Sequence, residues 1–458
     1  MGLAAGSSSY FIFVAAVFFV YWLSPQTRLL RLAIILLANY YFCARYGLFY
    51  LALIPACSTI DFLVGLGLMR SHGAVARRLL ISVSVAVNLA LLVGSRHMGV
   101  LVNPRGFDWI FPLGLSFYTF QALTYTLDLY RRDADGTESL LAYLSAVSFF
   151  PTLQAGPITR VSELVKQFAA CRPLDRLEGG RALFLIGLGL LKKTVIADLL
   201  AGTLVNRVFD TPKLYSGAEV LIAVYAYSLQ IYFDFSGYTD IAIGSALLLG
   251  LKLPANFNAP YSATNLSDFW RRWHISLSNW LRDYLYFSLP GQRSKVMPYL
   301  NLVITMTLGG LWHGPSWNFV VWGLLHGVGQ VIVRLWQIKF GPKPAESPFW
   351  RVMSIILTFH YVCFCWIFFR AGTWQGAMDV IERIGSLSAS FSNISIPLAV
   401  VLTIGILAHY MPKKWYDFTT DLYARSPFFL QAAAMVALVI AIQYIATTGS
   451  APFIYVNF

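Results

Sequence analysis

The chain has 458 residues, of which 57% are hydrophobic and only 12% charged, against about 25% charged in an average soluble domain. With a mean hydropathy of +0.63, that composition excludes an ordinary soluble globular protein and implies a polytopic membrane protein. The net charge of +13 reads as topology and not as nucleic-acid binding, because the basic residues alternate between loops.

A helix that crosses roughly 30 Å of hydrocarbon needs about 20 mainly apolar residues. Apolar runs of this kind lie at 8–24, 28–44, 46–69, 79–96, 109–130, 139–157, 181–206, 217–235, 239–252, 298–312, 315–338, 349–370, 396–411 and 428–447. Two of them, 139–157 and 239–252, are short or interrupted, the first by Pro151 and Gly156, and are expected as re-entrant or half-length segments. About eleven to twelve full spans remain by this length rule. The expected fold is an all-α bundle in one membrane domain over 1–458. No internal repeat and no duplicated half is visible, and the sizeable polar connections are 131–138, 160–181, 253–268, 288–297 and 339–349.

Arg28 and Arg31, then Arg70, Arg77 and Arg78, then Arg131 and Arg132 fall in alternate loops, whereas the intervening loops carry only Arg45 or Arg96 and Arg105. Cytoplasmic loops hold the excess of Lys and Arg, so these three loops are assigned to the cytoplasm and the N-terminus to the outside. Lys166, Arg172, Arg176 and Arg181 extend the cytoplasmic set. The first ten residues carry no positive charge, so an uncleaved first span is expected in place of a signal peptide. Cys43, Cys57, Cys171, Cys363 and Cys365 form no CxxC pair, and neither a disulfide framework nor a zinc site is expected.

Among the acids inside the runs, Asp61 and Asp128 are expected to pair with arginines across helices. FDFSGYTD places Asp234, Ser236, Tyr238 and Asp240 at a junction between runs. Asp240 is expected as a helix cap, and Asp234 either as a cap or as a binder of a hydroxyl or a base. NFNAPY follows at 256–261. A helix is then predicted over 268–286, where Trp270, Trp273, Leu277, Trp280, Leu281 and Tyr284 share a stripe about 100° wide. Arg271, Arg272, Ser276, Ser278, Asn279, Arg282 and Asp283 face the other way. Such a helix lies in the membrane interface, capped by Ser267 or Asp268.

GGLWHGPSWNF comes next. Gly309 and Gly310 allow close backbone approach, and Gly314 and Pro315 interrupt the helix at His313. Broken helices at membrane depth occur where the freed backbone groups face protein or a cavity, which puts His313 beside one. His326 is expected to pack. His360, in LTFHYVCFCWIFF, has no carboxylate within its own segment, and burial would keep its imidazole neutral, as a general base requires. His72, His97 and His409 sit near loop ends, His274 borders the stripe, and Arg370 closes its span by snorkelling. GxGxxG, GxxxxGK[ST], HExxH and GxSxG are all absent, so no nucleotide or metal motif is present.

FDFSGYTDIAIG, NFNAPY, DFWRRWHISLSNWLRDYLY, GGLWHG with SWNFVVWGLLHG, and FHYVCFCWIFFRA occur in that order within about residues 110–372. Together they resemble the bacterial branch of the membrane-bound O-acyltransferase family, of the alginate O-acetyltransferase type. The resemblance implies helices around a central tunnel and acyl transfer from a cytoplasmic thioester, such as acetyl-CoA, to a hydroxyl across the membrane. It assigns the two family histidines to His313 and His360, 47 positions apart. Substrate or tunnel contacts are expected from Trp312, Asn318, Asp234, Arg271, Arg272, Trp273 and Trp280, with Trp312, Asn318 or amides near Gly314 as oxyanion donors. It also implies the bacterial inner membrane, a periplasmic acetyltransferase of the SGNH type and a polysaccharide synthase as partners, and no bound cofactor or metal. A flippase for lipid-linked sugars would use similar features, but the missing internal symmetry and the WHG break argue against it. A non-catalytic scaffold is the third reading.

Overall fold

The structure is a computed structural model that describes residues 7–25, 27–101, 114–341 and 347–445. The start of the 109–130 run, Arg105, the end of the 428–447 run and the side chains of Arg96 and His97 lie outside the described residues. All regular elements among the described residues are helical, the form that satisfies every backbone group within one segment of chain. The chain divides into two compact units. One comprises Met1–Gly187, Tyr238–Pro254 and Asp421–Pro427, the other Leu188–Gly237, Ala255–Thr420 and Phe428–Phe458.

The first unit begins with α1 (Ser8–Leu23), α2 (Arg28–Ala44), α3 (Leu48–Arg70), α4 (Ala74–Leu101) and α5 (Leu115–Arg131). Ser7 and Thr27 cap α1 and α2, their hydroxyls accepting the N–H groups of Tyr10 and Leu30. Asp61 of α3 does not meet the expected arginine. Ser84 Oγ donates to it at 2.6 Å and Asn88 Nδ2 at 2.8 Å, because α4 offers two polar side chains one turn apart on the facing side. Asp128 does meet one, Arg160, at 3.6 Å. The interrupted 139–157 run forms two short helices, α6 (Leu140–Val147) and α7 (Phe150–Leu153). Pro151 has no N–H to continue the first into the second. α8 (Val161–Ala170) and α9 (Arg176–Leu190) follow.

In the second unit the chain continues from α9 through a π-helical turn over 191–197, α10 (Asp198–Leu200), a second π-turn over 201–205 and α11 (Asn206–Asp210). α12 (Gly217–Leu248) opens on a capping box in which Ser216 Oγ accepts the Glu219 N–H and Glu219 accepts the Ser216 N–H. This single 32-residue helix replaces the two segments expected at 217–235 and 239–252, and Asp240 lies inside it instead of capping it. Continuity is possible because the polar step at Asp234 is neutralised from outside: Lys193 Nζ lies 2.7 Å from Asp234 and 2.7 Å from Asp198, with Lys193 and Asp234 buried and Asp198 partly so. Gly237 makes room, since a Cβ there would stand 2.7 Å from the Gly189 carbonyl oxygen.

The single helix expected over 268–286 is divided. α13 (Leu266–Trp270) and α14 (Ile275–Trp280) are separated by a bend at His274, whose φ is 42°, and a π-turn over 281–285 follows. The cause is NFNAPY, which lies alongside and competes for backbone hydrogen bonds. Ile275 N–H donates to the Asn256 carbonyl, Asn258 N–H to the Arg272 carbonyl, and Ser276 N–H to the Asn256 side chain. Asn265, not Ser267 or Asp268, caps α13 by accepting the Asp268 N–H at 2.9 Å. Trp270 and Trp273 are buried in the core of this unit and do not lie at a membrane surface.

α15 (Met297–His313) and α16 (Trp317–Phe340) are broken at Gly314 and Pro315 as the sequence predicts, and they cross closely. A Cβ on Gly310 would run into the Phe319 carbonyl, and one on Gly323 into that of Met306, the small-residue contact typical of membrane helices. α17 (Pro348–Arg370), α18 (Trp374–Gly385), α19 (Ile396–His409), α20 (Lys413–Arg425) and α21 (Phe428–Ile445) complete the chain. Among the described residues, Phe49–Arg70, Ala74–Gly94, Trp317–Phe340 and Pro348–Arg370 are each long and apolar enough to cross a membrane, and α19 with α20, bent by 93°, would make a fifth. The other apolar runs are shorter or are divided by breaks, π-turns and polar residues. The protein is an all-α polytopic membrane protein.

Two substitutions test this architecture by thermal unfolding in detergent. Gly323→Leu is expected to destabilise by about 1–3 kcal/mol or more, since overpacking against a backbone carbonyl has nowhere to relax. Lys193→Met strands two buried carboxylates and is expected to cost about 3–5 kcal/mol, most of it regained when Asp198→Asn and Asp234→Asn are added.

Candidate active site

His313 ends α15 and is buried where α15, α16 and α17 meet. Its ring lies 4.7 Å from Trp312, 5.2 Å from Trp322 and 4.8 Å from Phe369, centroid to centroid. Trp322 stands between it and His326, whose ring is 4.9 Å from the indole. Trp270 Nε1–H donates to His326 Nδ1 at 3.3 Å, so His326 carries its proton on Nε2. Asn318, in the first turn of α16, donates through Nδ2 to the Ala371 carbonyl at 2.8 Å and ties the start of α16 to the end of α17.

His360 is placed differently. It sits midway along α17 on an exposed edge and is not buried as the apolar run around it suggests. Its Nδ1 lies 2.8 Å from the Ile356 carbonyl oxygen, which can only accept, so Nδ1 bears the hydrogen. Nε2 is therefore the basic nitrogen, and it accepts the Tyr225 hydroxyl at 2.8 Å. The Tyr225 ring meets the imidazole edge-on at 5.5 Å and leans on Phe359 at 5.6 Å. The two histidines are not in contact. Phe369, which touches His313, is nine residues beyond His360 on the same helix, about 13 Å along its axis.

The remaining expected site residues are distributed around these two. Trp273 is buried between Phe257 at 5.2 Å and Trp366 at 5.1 Å. Arg271 and Arg272 both pair with Asp268, at 3.6 and 3.1 Å, and Arg272 also donates to the Asn258 carbonyl. Trp280 lies 5.3 Å from Tyr284. Asp234 belongs to the Lys193 cluster. His274, outside the spans, hydrogen-bonds through Nδ1 to the Asn256 side chain at 3.2 Å, and burial pushes its imidazole down to about 3, which keeps it neutral. His409, which the sequence leaves without a constellation, accepts the Tyr261 N–H through Nε2 at 3.2 Å.

Sequence reasoning missed Tyr225 and Lys193. The lysine left a signal, a KK pair inside the apolar run 181–206. Tyr225, in VYAYSLQIYF, is one aromatic among several, and nothing local distinguishes it.

Residues 79–373, which include both histidines, match the profile of the membrane-bound O-acyltransferase family. The chain is 36% identical over 433 residues to the probable alginate O-acetylase AlgI of Pseudomonas aeruginosa, covering 89% of this chain and 81% of that protein. It is 36% identical over 406 residues to the probable alginate O-acetylase AlgI of Azotobacter vinelandii, covering 84% and 78%. With the peptidoglycan O-acetyltransferase of Helicobacter pylori it shares 32% identity over 398 residues, 79% of this chain and 75% of the other. On this profile, these relatives and its helical membrane fold, the chain belongs to the membrane-bound O-acyltransferase family and is an acyltransferase.

Proposed function

We propose that the protein moves an acetyl or other short acyl group from a cytoplasmic thioester, acetyl-CoA or a similar donor, to a hydroxyl of an extracytoplasmic polysaccharide. Transfer is direct or passes through a periplasmic acetyltransferase of the SGNH type, in company with a polysaccharide synthase. The names of the relatives, an alginate and a peptidoglycan acetylase, support the acceptor class. The reading rests above all on His360: an exposed imidazole halfway along a spanning helix, with Nδ1 turned to the Ile356 carbonyl and Nε2 accepting the Tyr225 hydroxyl.

A sugar hydroxyl is too weak an acid to attack a thioester unaided, and a positioned base contributes about 10²- to 10⁴-fold. His360 is assigned that role. His313, which ends α15, packs on Phe369, nine residues beyond His360 on α17, so it is assigned to the donor. With Trp312 and Asn318 it lines the path by which the thioester arm reaches His360, and it orients the carbonyl-bearing end. Trp273, Trp280, Arg271 and Arg272 border that path, the arginines toward the anionic part of the donor. Asp234, held by Lys193, fixes the α12 wall on which Tyr225 stands.

The family resemblance supports the bacterial inner membrane as the setting, and the charge pattern supports a periplasmic N-terminus with the loops at 71–73 and 131–138 cytoplasmic. A single cysteine placed at Ser71 is then labelled by an impermeant thiol reagent only after the inner membrane is opened, and labelling of intact spheroplasts would reverse the topology.

The decisive experiment uses the full chain in lipid nanodiscs with labelled acetyl-CoA, the periplasmic partner and the polymer. His360→Ala is expected to lower acetyl transfer about 10²- to 10⁴-fold while its unfolding temperature stays that of the parent protein. His313→Gln is expected to raise the donor KM about tenfold or more, the cost of about 1.4 kcal/mol of binding, with a smaller change in kcat. A transporter would move unacylated substrate in both variants, and a scaffold would tolerate both.

A further inference from the structure

Tyr225 is the hydrogen-bond partner of His360 on its reactive side. The phenol comes from α12 and the imidazole from α17, 135 residues apart in the chain. The direction of the bond is set by the other nitrogen: because Nδ1–H is committed to the Ile356 carbonyl, Nε2 can only accept and the phenol must donate. Its oxygen keeps its lone pairs for a further donor. The ring is held by Phe359 and is itself half-buried, whereas the imidazole beside it is exposed. An incoming hydroxyl therefore finds the nitrogen already taken and the phenol oxygen ready to accept.

We propose that Tyr225 is a proton relay between the acceptor hydroxyl and His360, a deepening of the preceding proposal that rests on His360 being the base. As the acceptor oxygen forms its bond to the thioester carbonyl carbon, its proton passes to Tyr225 Oη, and the proton of Tyr225 passes to His360 Nε2. The imidazolium is held through Nδ1–H by the Ile356 carbonyl. When the tetrahedral intermediate collapses, the C–S bond breaks and the Nε2 proton returns through Tyr225 to the departing thiolate. The sum is thioester plus alcohol giving ester plus thiol, with Tyr225 and His360 restored. Two protons move together in each half of the reaction, and no ionised tyrosine accumulates.

The test is Tyr225→Phe, which removes one oxygen and keeps the ring, assayed with the full chain in nanodiscs beside His360→Ala. The expected result is a fall in kcat of about 10²-fold, the lower end of what positioned proton transfer contributes, with donor KM unchanged. The solvent isotope effect discriminates further. Rates in mixtures of light and heavy water should give a curved proton inventory for the parent protein and a linear one for Tyr225→Phe. A merely structural tyrosine would not change that curvature. If Tyr225→Phe is too unstable to assay, 3-fluorotyrosine at position 225 preserves the shape and makes the phenol more acidic, and the relay requires the pH dependence of kcat to move with it. Parent-like kcat and inventory in Tyr225→Phe, or a rise in rate, would overturn the relay and leave the phenol as a plug on Nε2. Retention of transfer by His360→Ala would instead overturn the reading of His360 as base, so the two failures are distinct.

Discussion

A polar group at membrane depth must find its partner inside the protein, because hydrocarbon supplies none. The second unit is organised by that constraint. Lys193 lies between Asp198 and Asp234 at 2.7 Å from each, and this allows α12 to run unbroken past a carboxylate in its middle. The same helix presents Tyr225, nine residues before Asp234, or about 13 Å nearer its N-terminus. Hydrogen-bonded to Tyr225, His360 can then be carried on an apolar spanning helix without being buried. A cluster at the middle of α12 thus helps hold the helix that presents Tyr225 to His360.

The contrast between the two histidines follows from the same constraint. His313 is where α15 stops, enclosed by aromatic rings and reached through the break at Gly314 and Pro315. An imidazole in such a cage is shaped to hold something, since rings on several sides fix its plane and leave few approaches. His360 has two aromatic neighbours edge-on, Phe359 and Tyr225, the second hydrogen-bonded to it, and an open side. On the proposed reading of His360 as the base, that openness is what a bulky acceptor hydroxyl requires.

How much of this was legible in the sequence depends on whether the signal was local. The break at WHGP was, because Gly and Pro act on their own backbone, and it singled out His313, whereas His360 was picked out only through the family resemblance. Helix breaks caused by an irregular segment elsewhere in the chain were not. The stripe of tryptophans at 270–280 has good helical spacing, yet NFNAPY, some 15 residues upstream, takes its backbone hydrogen bonds at 272–276 and turns Trp273 into the core. The reverse error arose at 234–240, where polar residues looked like a junction until a lysine from another helix neutralised them. Asp61 failed in a third way: the partner it needed was any strong donor, and Ser84 and Asn88 serve as well as the arginine that charge alone suggests.

Under the proposed roles, the position of Phe369, on which His313 packs, about 13 Å along α17 from His360, also constrains the reaction. A base and an oxyanion donor must both lie within hydrogen-bond reach of one carbonyl, so groups around His313 cannot supply both while His360 removes the proton. Either the donor arm extends from one histidine to the other, or the acyl group would have to be handed across the gap through a covalent stage. The surroundings of His313 favour the first. Its ring is packed against Trp312, Trp322 and Phe369, leaving little room for a tetrahedral centre to form on it, whereas a slender arm passing the aromatic rings needs only their faces. On the proposed roles, transfer in one step at His360, with the donor threaded past His313, is the arrangement that uses both histidines where the fold has put them.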